Sequence, residues 1–120
     1  MSRPIILSVS CNREFLQARH QLLEEAGFEV SSAQTTYEAF NLLDRQPFDA
    51  VVVGESFSFT EKQLFAAEVG ERWRIPVVVL YFGDTDVELT ADFQVELAKG
   101  AEALIRTLQS LIQSRQKKSA

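Results

Sequence analysis

Apolar positions along this chain follow two rhythms that take turns. Short runs rich in β-branched residues have the length and composition of strands: Ile5-Ile6-Leu7-Ser8-Val9-Ser10, Phe48-Asp49-Ala50-Val51-Val52-Val53 and Ile75-Pro76-Val77-Val78-Val79-Leu80-Tyr81. The last two are apolar at consecutive positions, which predicts strands covered on both faces. Phe28-Glu29-Val30-Ser31-Ser32-Ala33 and Phe93-Gln94-Val95-Glu96-Leu97 alternate instead, so they predict half-buried strands, the second at a sheet edge.

The segments between these runs carry helical signals. From Arg13 to Ala26 the residues Phe15, Leu16, Leu22, Leu23 and Ala26 fall mainly on one face, with Asn12 at the N-cap position and Gly27 at the stop. Thr35-x-x-Glu38 has the form of a capping box and opens a second helix to about Arg45, closed by Pro47. Thr60-x-x-Gln63 opens a third, which carries Leu64, Phe65, Ala67 and Val69 and weakens or ends at Gly70. The final helix has the clearest period: Ala101, Leu104, Ile105, Leu108, Leu111 and Ile112 make one apolar stripe. A short basic tail with Arg115, Lys117 and Lys118 follows from about residue 114. Between Phe82 and Phe93 the rhythm fails, and the stretch offers at most a short helical turn in place of a crossover helix. This alternation predicts a doubly wound parallel α/β sheet with helices on both faces.

Composition narrows the class. A chain of 120 residues is one domain, 1–120, long enough to bury a core without disulfides or metals. Hydrophobic residues at 46% and charged residues at 24% exclude disorder as the main description. The net charge of −5 argues against nucleic-acid binding by the whole surface. No apolar run is long enough to cross a bilayer and Met1-Ser2-Arg3-Pro4 lacks the apolar core of a signal peptide, so the expected location is the cytoplasm, with no membrane partner. The single cysteine, Cys11, cannot form an intramolecular disulfide, in agreement with a reducing compartment.

In open sheets of this kind ligands bind beyond the carboxyl ends of the strands, where strand order reverses. The residue after Val53 is Gly54, which carries no chemistry. Several pieces, in order over nearly the whole chain, resemble a response-regulator receiver domain: Ile6-Leu7-Ser8-Val9 before a polar break, Gly27-Phe28-Glu29-Val30, Tyr37-Glu38-Ala39-Phe40, Pro47 to Val53, Ile75 to Leu80, and Lys99. The resemblance implies a flavodoxin-like (CheY-like) five-stranded parallel sheet of order 2-1-3-4-5, here with the helix between the fourth and fifth strands short or absent.

It also implies a chemistry, phosphoryl transfer from a histidine kinase to an aspartate. That chemistry uses Mg²⁺ held by acids at the end of the first strand, a lysine on the phosphoryl oxygens and a hydroxyl that senses the product. Matched residue by residue, the acidic pair falls on Ser10 and Cys11, the phosphoacceptor on Gly54 and the switch hydroxyl on Tyr81. Only Lys99 keeps the family's residue, and Gly100 follows it where proline is usual. The chain thus resembles a degenerate receiver, with Ser10, Cys11, Gly54, Tyr81 and Lys99 as a vestigial pocket. This implies no phosphoacceptor, no Mg²⁺, no cofactor and no catalysis, and a two-component signalling role through a protein partner, a second copy of the chain among the options.

Other residues have competing readings. Glu55 neighbours Gly54, but successive strand residues point to opposite sides, which makes it a solvated loop carboxylate. Asp84, Asp86 and Glu88 resemble the start of a calcium loop without its glycine and closing glutamate; they read as a solvated acidic loop or a contact for a basic partner. Phe57 and Phe59 either fold down over the space left by the absent acids and metal or anchor a partner. Cys11, between a strand end and a helix N-terminus, supports a different class, a small thiol or phosphoryl-transfer enzyme centred on Cys11 and Lys99. Against it, Asn12 to Gln17 has no glycine and an arginine too early for a phosphate cradle. His20 reads as a boundary residue of the first helix.

Overall fold

A computed structural model describes residues 3–54, 57–81, 93–96 and 101–118 of the chain. The elements run β1 (Ile5–Val9), α1 (Arg13–Glu25), β2 (Glu29–Ala33), α2 (Thr36–Arg45), β3 (Ala50–Val53), α3 (Phe59–Arg72), β4 (Val77–Tyr81), β5 (Phe93–Glu96) and α4 (Ala101–Lys118). All neighbouring strands are parallel, in the order β2-β1-β3-β4-β5. This is the doubly wound parallel sheet that the alternation of patterns predicts, in the flavodoxin-like order that the resemblance implies, with the order reversing between β1 and β3. The expectation of a reduced helix before β5 falls on residues 82–92, which lie outside the described residues.

The consecutive valines serve two cores because alternate side chains of a strand point to opposite faces. Leu7, Val9, Val51, Val53, Val77 and Val79 meet Ala39 and Leu43 of α2 and Phe65, Ala66 and Val69 of α3. Ile6, Ala50, Val52, Val78 and Leu80 meet Leu23 of α1 and Leu104, Leu108, Leu111 and Ile112 of α4. The stripe predicted for the last helix is therefore its buried face. Only with helices on both sides can β3 be four buried residues in succession.

Local chemistry sets the helix ends. The Asn12 side chain accepts from the Phe15 N–H, as a cap should. At the other end of α1, Gly27 has φ of 103°, a left-handed conformation that suits glycine, while Phe28 N–H donates to Leu23 O and Gly27 N–H to Glu24 O. Thr35 caps α2 by accepting from Glu38 N–H, and the Glu38 carboxylate accepts from Gln34 N–H, one residue earlier than a standard box.

Three helix boundaries differ from expectation. The box that opens α3 is Ser58-x-x-Glu61, complete in both directions, and not Thr60-x-x-Gln63. The earlier box places a carboxylate in the first turn, where the helix dipole favours it, and Gln63 offers no charge. Phe59 accordingly opens the helix. Gly70 does not end it: α3 continues to Arg72, since one glycine lowers helix stability without breaking the hydrogen-bond ladder. Likewise α4 runs on to Lys118, so Arg115, Lys117 and Lys118 belong to the helix and do not form a tail beyond it.

At the amino end of the sheet, Asp49 fastens β3 to β1. Its carboxylate accepts from Ile5 N–H at 2.7 Å, and its own N–H donates to Ile5 O at 2.7 Å. The Pro-Phe-Asp lead-in to the central strand is a structural clamp.

Candidate functional site

The fold directs attention to the opposite end, the carboxyl ends of β1 and β3, between which the strand order reverses. The ladder continues one residue past both strands: Ser10 N–H donates to Ala33 O at 3.1 Å and Gly54 N–H to Val9 O at 2.7 Å. Since Val9 pairs with Val53, Ser10 and Gly54 stand side by side at the switch point. Both lie on the face shared with α1 and α4, two residues beyond Ser8 and Val52.

What fills this point is an arginine. Helix α1 buries Leu16, Arg19 and Leu23, a spacing that puts all three on one stripe, and Arg19 is only 8% exposed. A Cβ built on Gly54 would lie 3.0 Å from both Cβ and Oγ of Ser10 and 3.1 Å from Nη1 of Arg19. The φ of Gly54 is outside the left-handed region, so the backbone does not require glycine here. Space does. Ser10, fully buried, also receives a hydrogen bond at its Oγ from Asn12 N–H at 3.3 Å, which ties the site to the start of α1.

A second buried cation comes from α3. Lys62 is 7% exposed and its Nζ donates to Leu80 O at 2.9 Å, near the carboxyl end of β4. An ammonium on a backbone carbonyl retains a strong, charge-assisted hydrogen bond while its stem covers apolar surface.

The residues expected to form a pocket fare differently. Ser10 and Gly54 are brought together. Cys11 is next to Ser10 in sequence but exposed. Asn12 itself takes the Phe15 N–H, so that donor of the first turn is not directed at the thiol. Tyr81 ends β4, with its side chain outside the described set, and Lys99 lies outside the described residues. So do Glu55, Asp84, Asp86 and Glu88.

Phe57 corrects an expectation. It is 8% exposed and packed in the core with α2 and α3, so it is neither a surface anchor nor the filler of the space beside Gly54. Phe57 shares a core with Val51 and Val53, whereas Gly54 belongs to the other face of the sheet. Phe59 keeps its backbone position at the start of α3, and its side chain is outside the described set. His20 bridges Ser32 Oγ at 2.8 Å and Glu24 Oε1 at 2.9 Å, which fits a boundary residue joining α1 to β2.

Sequence reasoning missed Arg19 and Lys62. Arg19 was legible in principle, because Leu16-x-x-Arg19-x-x-x-Leu23 has the spacing of a buried stripe with a charge in its middle. Phe15, grouped by pattern with Leu16 and Leu23 on one face of α1, is 44% exposed. Among the described residues, the large apolar side chains most open to solvent are instead Tyr37 of α2, at 74%, and Leu64 of α3, at 67%. Leu64 lines a shallow groove of about 330 Å³ with Thr36, Phe40, Glu61, Phe65 and Glu68.

No protein-family model and no curated protein matches this chain. Solved structures do. A response regulator receiver domain protein from Clostridium thermocellum superposes with a TM-score of 0.84 at 21% identity, over 98% of this chain and 99% of that one. The signal receiver domain of an HD domain-containing protein from Pseudomonas fluorescens Pf-5 gives 0.84 at 19%, over 97% and 99%. A response regulator from Thermotoga maritima gives 0.81 at 24%, over 93% and 99%. At these identities the likeness is one of fold: the chain has the CheY-like flavodoxin fold. Among the described residues, no helix is long and apolar enough to cross a membrane.

Proposed function

We propose that this chain is a receiver-like signalling module of the two-component type that works in the cytoplasm by protein–protein contact, without aspartyl phosphorylation and without catalysis. One observation carries the proposal. The position that corresponds by resemblance to the phosphoacceptor is Gly54, and the guanidinium of Arg19 stands beside it where a carboxylate and its Mg²⁺ would have to fit. An acyl phosphate needs a nucleophilic carboxylate, and a divalent ion needs hard oxygen ligands. Ser10 supplies a single buried hydroxyl, Gly54 nothing, and Arg19 a positive charge that repels a metal.

What remains for the domain is recognition by its surface. The exposed Tyr37 and Leu64, on adjacent helices α2 and α3, offer apolar area to a protein partner, a second copy of the chain included. No observation favours the enzyme centred on Cys11, whose first-turn donor at Phe15 is already taken by Asn12.

The test is a titration of ¹⁵N-labelled protein with Mg²⁺ and beryllofluoride, followed by intact-mass analysis after incubation with acetyl phosphate. The expected result is no shift of the Ser10 and Gly54 amides and no phosphoryl adduct. Saturable shifts at those amides, or an adduct on any side chain of the site, would overturn the proposal.

A further inference from the structure

We infer that Arg19 is the positioning residue that holds the pocket shut, so that a carboxylate restored at position 54 is captured by arginine before it can serve a metal ion or a phosphoryl donor. The inference rests on the reading of position 54 as the vacated phosphoacceptor site. It goes further, because loss of an aspartate alone would leave a cavity that one substitution could refill. Here the space is taken. The guanidinium Nη1 lies 3.1 Å from where the Cβ of any new side chain would start, and Ser10 Cβ and Oγ lie 3.0 Å from the same point. A carboxylate extending from that Cβ is thus within salt-bridge reach of Arg19 from its first rotatable bond.

The chemistry of arginine suits this role. Its planar fork is more weakly hydrated than an ammonium and matches a carboxylate bidentately, so it can be buried in a stripe otherwise made of Leu16 and Leu23. Arg19 and Gly54 form a complementary pair: the glycine makes room and the arginine uses it. Either residue alone would be out of place, since an aspartate at 54 would find an arginine in its space and a buried arginine needs the space that glycine leaves. The positive charge also weakens the binding of a divalent cation, even with acidic ligands added at positions 10 and 11.

The experiment compares Gly54→Asp with Gly54→Asp/Arg19→Leu, each checked for folding by its amide spectrum, and follows the introduced carboxyl by ¹³C NMR across pH. In the single variant, where the guanidinium is kept, that carboxyl is expected to titrate about 1–3 units lower than in the double variant, the shift that a neighbouring guanidinium gives an aspartate. Adding Ser10→Asp and Cys11→Asp to both backgrounds should give Mg²⁺ affinity at least about tenfold weaker when Arg19 is kept. Equal titration of the introduced carboxyl in the two proteins, or equal Mg²⁺ affinity, would overturn the inference.

A conservative cycle keeps the question open to test where an acid at 54 does not fold. Urea denaturation of Gly54→Ala, Arg19→Ala and the double variant should show a Gly54→Ala penalty that shrinks once the guanidinium is gone. Strict additivity would count against the pairing. Phosphorylation of the wild-type chain, in contrast, would sink the proposed function and leave the variant comparison to be judged by itself.

Discussion

The two ends of β3 are built from opposite charges. At its amino end a carboxylate, Asp49, accepts the Ile5 N–H and holds β3 against β1. At its carboxyl end glycine leaves a gap beside Ser10, and a cation from α1 stands there. Both arrangements join neighbouring elements across the same pair of strands, yet only the second occupies ground where this fold ordinarily receives a ligand. The difference teaches that the carboxyl end of β3 is a packed part of the scaffold in this chain.

The comparison can be broken at either end, and the largest effect is expected at the clamp. Asp49→Ala removes a charge-assisted hydrogen bond to a backbone donor and should lower stability by about 1.5–3 kcal/mol in urea melts. If stability is unchanged, the amino end is not held by that carboxylate. Gly54→Val tests the other end with a β-branched side chain in a filled space and should cost about 1–3 kcal/mol by overpacking. A neutral or stabilising Gly54→Val would mean that Ser10 and Arg19 yield easily, and that the site is less filled than the distances indicate.

A smaller loss is expected away from both ends. Ser58→Ala removes the capping box of α3 and should cost about 1 kcal/mol, with hydrogen exchange rising in the first turn of that helix. It sets the scale of an ordinary local interaction in this chain. The smallest effect belongs to Ser8, fully buried in β1 on the face it shares with Ser10, with a hydroxyl that has no hydrogen-bond partner among the described residues. Ser8→Ala should change stability by no more than about 0.5 kcal/mol, or raise it, because it removes a buried polar group that gains nothing. A loss above that range would place Ser8 in the polar arrangement of Ser10 and Arg19, and would widen the site along β1.

Much of this architecture is legible in the sequence, for physical reasons. Consecutive valines can be satisfied only between two helical layers, and the period of Leu104, Leu108, Leu111 and Ile112 admits one buried face. Position 54 could be located and found to lack chemistry from the chain alone. The spacing of Leu16, Arg19 and Leu23 signals that Arg19 is buried, but pattern alone does not say which distant segment it meets. Its role emerges only when two segments distant in sequence, α1 and the end of β3, are seen to compete for one volume. The start of α3 illustrates a second limit: Ser58-x-x-Glu61 and Thr60-x-x-Gln63 overlap, and pattern alone does not choose between two capping boxes. Phe57 illustrates a third, since a phenylalanine in a loop is assigned to one face of a sheet by the path of the backbone and not by its neighbours in sequence.

The central claim is that the guanidinium of Arg19 stands beside Gly54 and takes the space that a side chain at position 54 would need. Its most direct test is ¹⁵N-edited nuclear Overhauser spectroscopy of the Arg19 side chain. The account predicts a resolved, slowly exchanging guanidinium resonance with cross-peaks to the Hα protons of Gly54 and the Hβ protons of Ser10. A guanidinium averaged by exchange with water, without cross-peaks to either residue, would contradict it.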